Sequence, residues 1–186
     1  YASSFGGKSA AMGKRSHSEG TTTIAKGNYS HAEGDNSVSL GNDSHAEGYM
    51  TVSHGDQSHS EGIRTVSSGV SSHAEGIETT STGRYSHSEG IQTKSIGESS
   101  HSEGNLTEAT GAYSHVEGHK SKTLTSMPDS SGGDSSGGSG SSTDPNWNVN
   151  EHLGESSHAE GAENIVVGYA SHAEGAANKA YGHYSH

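Results

Sequence analysis

The sequence predicts an all-β fold, a parallel β-solenoid in which each turn uses fourteen residues. The first observation is the pentapeptide Ser-His-Ala/Ser-Glu-Gly, whose histidine recurs every 14 positions. The second is the composition, with 28 glycines and only 25% apolar residues, against about 45–50% in ordinary globular domains. A fixed short period is typical of stacked turns that contact only their neighbours. It also argues against disorder, which the low hydrophobicity and the net charge of −12 would otherwise indicate.

The register of the repeat divides the chain. The repeat histidines are His17, His31, His45, His59, His73, His87, His101 and His115, followed by His158, His172 and His186. The gap between the two runs is 43 positions, which equals one period of 14 plus an insertion of 29. We therefore predict solenoid repeats over residues 2–124, an insertion over 125–153 and continued repeats over 154–186. About eleven turns at ~4.8 Å each give a rod about 50 Å long.

Each repeat consists of two similar heptads. The first is S-H-A-E-G-x-x and the second T-x-A-x-G-x-x, as in Thr23-Ile24-Ala25-Lys26-Gly27. Because side chains alternate along a strand, the small residues share one face and the x positions the other. We predict two strands of about five residues per turn, a lumen that admits only Ser, Thr and Ala, and a glycine at each half-turn where φ is positive or backbones approach closely.

The repeats resemble the head repeats of YadA-like trimeric autotransporter adhesins, which have fourteen residues of the S-x-A-x-G type. The SHAEG variety is also similar to repeats of phage and prophage tail fibres and appendages. The resemblance covers about residues 2–124 and 154–186. It implies a left-handed parallel β-roll in a homotrimer wound about a threefold axis. The chain departs from the adhesin pattern where those heads often carry Val and Ile, because the first heptad here has His and Glu.

The uniform His and Glu positions are the predicted trimer interface. A face that repeats without change is expected in one fixed environment, such as a subunit interface, whereas the variable face of the second heptad is expected in contact with solvent. The opposite arrangement stays open, with the second heptad at the interface, because the variable half also contains Ile, Val and Leu. The predicted interface residues are His17, Glu19, His31, Glu33, His45, Glu47, His59, Glu61, His73, Glu75, His87, Glu89, His101, Glu103, His115, Glu117, His158, Glu160, His172 and Glu174.

Charge counting suggests how these groups interact. Leaving out the ten glutamates of the frame changes the net charge from −12 to −2. Stacked carboxylates repel one another, so we expect the histidines to carry compensating charge. In that case their pKa is raised, and the stabilisation is lost as the pH rises through the folded value.

Other chemistries fit the pattern less well. One alternative is that rings of three histidines on the threefold axis bind Zn²⁺, Ni²⁺ or Fe²⁺. The equal number of glutamates favours a hydrogen-bonded ladder instead. We therefore assign no metal ligands and no cofactor. Adjacent strand residues point to opposite faces, so Ser16 and His17 cannot act as nucleophile and base. We assign no catalytic residue and predict that the protein is not an enzyme.

The insertion contains both prolines and the only tryptophan. Its Ser/Gly-rich composition is typical of a linker, which favours a surface excursion that decorates the rod. The alternative is a lateral arm whose tip, Asp144, Asn146 and Trp147, contacts a glycan or a protein partner by aromatic stacking.

The predicted role is the structural and adhesive shaft of an extracellular fibre. A phage or phage-like tail fibre on a virion surface is the first choice, and the head of an adhesin on a bacterial surface is the alternative. Partners are sister chains and a host-surface glycan or protein. The acidic balance argues against nucleic acid, and no apolar stretch reaches the roughly 20 residues that span a bilayer. The chain has the character of a segment of a longer protein.

Overall fold

The computed structural model describes residues 1–124 and 155–186, and its regular secondary structure there is entirely β. Twenty-two short strands form two parallel sheets of eleven strands each, and every turn contributes one strand to each sheet. The predicted all-β solenoid with fourteen residues per turn is therefore confirmed. Over the described ranges, no helix is long and apolar enough to cross a membrane.

The first sheet contains the SHAEG pentapeptides and the second sheet contains the variable heptads. The first sheet consists of β1 (Ser3–Phe5), β3 (His17–Thr21), β5 (His31–Asp35), β7 (His45–Tyr49), β9 (His59–Ile63), β11 (His73–Ile77), β13 (His87–Ile91), β15 (His101–Asn105), β17 (His115–Val116), β19 (His158–Ala162) and β21 (His172–Ala176). The second consists of β2 (Ala10–Ala11), β4 (Ile24–Ala25), β6 (Val38–Ser39), β8 (Val52–Ser53), β10 (Val66–Ser67), β12 (Thr80–Ser81), β14 (Lys94–Ser95), β16 (Glu108–Ala109), β18 (Lys122–Thr123), β20 (Ile165–Val166) and β22 (Lys179–Ala180).

The pairing register is set by the repeat. His73 pairs with His59 on one side and with His87 on the other. The same frame continues across the long gap, where His115 pairs with His158 and Lys122 pairs with Ile165. The turns on either side of the gap are therefore adjacent. The predicted insertion, residues 125–153, lies entirely outside the described ranges, and its boundaries stay a prediction.

The lumen is lined by hydroxyls and methyls, as the alternation predicts. Ser18, Thr23 and Ala25 are fully buried. Hydroxyls join the two sheets across the lumen, for example where Ser60 Oγ donates to the Val52 carbonyl at 2.7 Å and Ser88 Oγ to the Thr80 carbonyl at 2.7 Å. The lumen becomes apolar on either side of the insertion, where a buried cluster consists of Ala109, Val116, Ala159, Val166, Ala173 and Ala180.

The glycines mark the closest approach of one turn to the next. A Cβ on Gly62, in the first heptad, would lie 2.2 Å from the carbonyl oxygen of Gly76 in the next turn, and φ at Gly62 is +110°. A Cβ on Gly55, in the second heptad, would lie 2.1 Å from the Gly69 carbonyl oxygen, although its φ is not positive. Close approach therefore explains both glycines, and positive φ only the first.

The two heptads are not equivalent in structure. The first forms a five-residue strand but the second a strand of only two residues, so the prediction of five residues in each half is wrong for the second. The amides of Leu40 and Gly41 both donate to the Ser53 carbonyl, which ends the regular ladder. A tight turn follows, as where the Gly55 carbonyl accepts both the amide and the hydroxyl of Ser58.

The corners impose a strained backbone on ordinary residues. A non-glycine residue with φ between 48° and 61° recurs every seventh position, from Lys8 to Lys120 and from Ser156 to Tyr184. Such φ values are uncommon for non-glycine residues. The amide of Met50 donates to the Asp35 carbonyl of the preceding turn at 2.9 Å, and that of Arg64 to the Tyr49 carbonyl at 2.8 Å. These bonds between turns hold the conformation whatever the side chain.

We predict that Gly62→Ala lowers the free energy of unfolding by about 2–5 kcal/mol, since it adds positive-φ strain to a backbone clash. Chemical denaturation followed by circular dichroism measures the change. Gly7→Ala is the matched control, because a Cβ there meets nothing within 4 Å. Equal stability of the Gly62→Ala variant and the wild type would contradict the tight stacking described above.

Candidate functional site

The most regular surface feature is the outer face of the first sheet, which we call the histidine–glutamate ladder. It consists of the twenty His and Glu residues of the SHAEG motifs, from His17 to Glu174. Alternation along each strand places them outside, as in β5, where Ala32 is buried between the half-exposed His31 and Glu33. The parallel register then places each His above a His and each Glu above a Glu, for example His31 above His45 and Glu33 above Glu47.

The imidazole rings form a continuous stack. From His31 to His172, neighbouring ring centroids are 4.7–4.9 Å apart and ring planes differ by 1–11°. This separation equals the spacing of strands in a sheet, about 4.8 Å. The distance between the rings is therefore determined by the backbone and not by a preferred contact between the rings. The stack continues across the gap, with His115 and His158 rings 4.9 Å apart.

The ends of the stack are turned. His17 lies at 67° to His31, and His172 at 78° to His186. At the first end, Ser3 occupies the histidine position of its turn, and its hydroxyl is 2.7 Å from His17 Nδ1. The His17 ring beside this hydroxyl is oriented differently from the rings of the stack.

Eight ladder histidines lie within 4.0 Å of the glutamate of their own strand, namely His17, His31, His45, His59, His73, His101, His115 and His158. Between Nε2 and Oε2 the distance is 3.3 Å for His31–Glu33 and reaches 4.0 Å for His158–Glu160. The His17–Glu19 pair, at 3.5 Å, has hydrogen-bond geometry. Among the described residues, the Nε2 atoms without a hydrogen-bond partner, although shielded from solvent, include those of His31, His45, His59, His73, His87, His101, His115, His158 and His172.

Burial changes the titration of the stack in the direction opposite to the one that the sequence suggested. Desolvation, with the neighbouring histidine charges second, lowers the pKa of His73 to about 4. The same two causes lower the pKa of His45 and of His101, while the nearby glutamates oppose the shift. The predicted raised pKa is therefore wrong for these three histidines, because counting charges takes no account of the rings' removal from water.

Ser16 and His17, which the sequence analysis considered as nucleophile and base, lie on opposite sides of the first sheet. Ser16 is buried in the lumen, where its hydroxyl donates to the Gly13 carbonyl at 2.8 Å, while His17 is on the outer face. The ladder residues predicted from the sequence all lie on one face, and their role as a subunit interface stays a prediction. Asp144, Asn146 and Trp147, the predicted tip of the insertion, lie outside the described residues.

Sequence reasoning missed an exposed apolar stripe beside the ladder. It consists of Tyr49, Ile63, Ile77 and Ile91, each 42–44% exposed, at the last position of four consecutive strands of the first sheet. The available signal was the residue that follows each SHAEG glycine. A second apolar column, Ile24, Val38, Val52 and Val66, lies half-buried on the outer face of the second sheet.

Comparison with known families agrees with this geometry. The sequence profile of the YadA head domain repeat matches two overlapping copies, at residues 18–44 and 32–52. These segments cover consecutive turns of both sheets. The chain matches no curated protein at a significant level. The repeats of this solenoid are YadA-like head repeats of the SHAEG variety.

The lowered histidine pKa values predict acid sensitivity. The unfolded histidines have an ordinary pKa of 6.5 and His73 in the fold one of about 4, so the unfolded chain binds more protons. The contribution of the neutral His73 ring to folding stability is therefore complete above pH 6.5, and it is lost as the pH falls towards 4. Denaturant midpoints at about pH 7.5 and about pH 4.5 should differ, with the lower value in acid.

The control separates histidine from carboxylate titration. His45→Gln/His73→Gln/His101→Gln removes the three rings whose pKa is lowered and should flatten the acid loss. His54→Gln removes an exposed histidine outside the ladder and should retain it. A midpoint that rises from neutral pH towards acid in the wild type contradicts the assignment.

Proposed function

We propose that this chain is the structural shaft of a trimeric extracellular fibre that adheres to a host surface. The observation that carries the proposal is the unbroken register of eleven turns in both sheets. Each turn hydrogen-bonds to the next along both sheets and at the corners, which leaves no hinge between the described turns on either side of the insertion. A rod of this kind holds a binding region at a fixed distance.

Three copies account for what one chain leaves incomplete. The lumen is thin and mostly polar, so the chain buries little apolar surface by itself. The ladder carries nine shielded Nε2 atoms that make no hydrogen bond among the described residues, although seven of them face a glutamate oxygen at 3.3–4.0 Å. Buried polar groups ordinarily have hydrogen-bond partners. YadA-like heads are homotrimers by family resemblance, and sister chains would supply both the apolar contact and the polar partners.

The ladder is the face that we assign to the trimer interface, with the apolar column of the second sheet as its rival. The ladder is uniform from His17 to Glu174, whereas the apolar column extends only from Ile24 to Val66 and is followed by Thr80 and then by Lys94, Glu108 and Lys122. An interface that follows the full length of a straight rod needs the same chemistry in every turn. The ladder meets this requirement and the second sheet does not.

The match to the YadA head domain repeat supports an adhesin on a bacterial cell surface. The SHAEG pentapeptide supports the second candidate, a tail fibre or appendage on a phage or a tail-like particle. Immunogold electron microscopy with antibody against this segment distinguishes them, because the label lies on the cell surface in the first case and on particles in the second.

A mechanical role in place of an enzymatic one is part of the proposal. Its support is that the polar groups with reactive chemistry repeat identically in every turn, whereas an active site is one asymmetric arrangement. At the first end of the described rod, the Ser3 hydroxyl is 2.7 Å from His17 Nδ1, and Ser3 is exposed there.

We predict that the protein sediments as a trimer and that Glu47→Lys/Glu61→Lys weakens it. These two carboxylates are 43% and 48% exposed in the single chain, so the substitutions should leave the fold intact. Val38→Lys/Val52→Lys is the matched change on the second sheet and should leave the trimer. If only the valine variant dissociates the trimer, the interface is assigned to the second sheet. A monomeric wild type overturns the trimer proposal.

We further predict that removing residues 125–153 leaves the solenoid folded. The pairing of His115 with His158 is 43 positions apart, and deletion of 29 restores the period of 14. Thermal melting of the deletion variant should stay within a few degrees of the wild type, about 1 kcal/mol or less. Loss of host-surface binding by this folded variant would assign adhesion to the insertion, and retained binding would assign it to the rod.

A further inference from the structure

The ladder brings metal-ligand atoms together between adjacent turns of a single chain. Groups of two histidines and one glutamate, such as His31, Glu33 and His45, have ligand atoms that all lie within 4.8 Å of one another. The same arrangement recurs up the rod in His45, Glu47 and His59 and in His59, Glu61 and His73. It arises from the register of a single chain and needs no threefold axis.

A second observation is the state of the nitrogens. The Nε2 atoms of these histidines are shielded from solvent and have no hydrogen-bond partner among the described residues. An imidazole nitrogen in this position needs a proton donor, a proton acceptor or a metal ion. A carboxylate oxygen faces this nitrogen. Imidazole nitrogen and carboxylate oxygen are both common ligands of borderline divalent ions.

The distance between the ligand atoms of a His–Glu pair allows both atoms to bind the same ion. A tetrahedral Zn²⁺ with bonds of about 2.0–2.1 Å holds its ligand atoms about 3.3 Å apart. Nε2 and Oε2 are 3.3 Å apart in His31–Glu33 and 3.5 Å apart in His73–Glu75. The second histidine must approach, because the centroids of stacked rings are 4.7–4.9 Å apart and the ligand atoms of a group lie within 4.8 Å of one another.

We propose that the ladder is a linear array of binding sites for borderline divalent transition ions, with Zn²⁺ as the probe. Each ion is held by Nε2 of two stacked histidines and Oε2 of the glutamate between them, and a water completes the coordination. Each turn supplies one carboxylate charge, so one divalent ion neutralises the charge of the glutamates in two turns. Ions in successive turns would lie about 4.8 Å apart and repel one another.

The proposal therefore predicts a stoichiometry. Ten ladder glutamates correspond to about five Zn²⁺ ions per chain at charge balance. Mg²⁺, which prefers oxygen ligands and retains its waters, should bind far more weakly. This inference goes beyond the proposed function but uses the same ladder face, so Zn²⁺ binding is measured together with the oligomeric state by sedimentation. Zn²⁺ binding by a monomeric chain overturns the trimer proposal alone, and a trimer that binds no Zn²⁺ overturns the metal proposal alone.

The test is isothermal titration calorimetry of the full chain without a polyhistidine tag, with Zn²⁺ and with Mg²⁺, together with the visible absorption of bound Co²⁺. We expect about five Zn²⁺ ions per wild-type chain and a Co²⁺ spectrum of nitrogen and oxygen ligation. His45→Gln/His59→Gln/His73→Gln disrupts at least the groups from His31 to His87 and should lose about two ions. His54→Gln, off the ladder, should bind as the wild type does.

Three results overturn the proposal. The first is no Zn²⁺ binding up to about 1 mM. The second is unchanged stoichiometry in the triple histidine variant, and the third is Mg²⁺ binding as strong as that of Zn²⁺, which would reflect acidic charge alone. If the triple variant does not fold by circular dichroism, His59→Gln with the Co²⁺ spectrum replaces it, and an unchanged spectrum then counts against the site.

Discussion

The structure depends on one constraint, the stacking of identical turns at the spacing of hydrogen-bonded strands. The constraint is most visible at the glycines, where a single added carbon at Gly62 or Gly76 would come within 2.2 Å of the next turn's carbonyl oxygen. Turns that approach this closely cannot tilt or slip independently. The positive-φ corners follow from the same cause, because amides at these positions must reach the carbonyl of the preceding turn.

This constraint also determines how the protein is stabilised. The lumen is too narrow for large side chains, and the largest fully buried ones are valines beside the insertion. Backbone hydrogen bonds between turns, and hydroxyls such as those of Ser60 and Ser88 that bridge the sheets, take the place of an apolar core. Stability is then a sum over neighbouring turns, as in other repeat proteins.

The ladder is the chemical consequence of the same register. The backbone places the histidines 4.7–4.9 Å apart, and loss of water together with the neighbouring histidine charges lowers the pKa of His45, His73 and His101. The lowered pKa of His73 thus has a geometric origin. A face in which every turn repeats one His and one Glu gives a partner the same contact along the whole rod, whether that partner is a sister chain or an ion.

The sequence alone determined the period, the fold class, the inward and outward faces and the frame across the insertion, because an exact 14-residue repeat has only one way to stack identical turns. It did not determine the difference between the two heptads, since T-x-A-x-G and S-H-A-E-G share one pattern while only the backbone bonds of Leu40 and Gly41 end the second strand early. Nor did it determine the histidine pKa values, because these depend on how much water each ring loses between its neighbours. The apolar stripe of Tyr49, Ile63, Ile77 and Ile91 likewise depended on three-dimensional stacking, which turned four separated corner residues into one continuous surface.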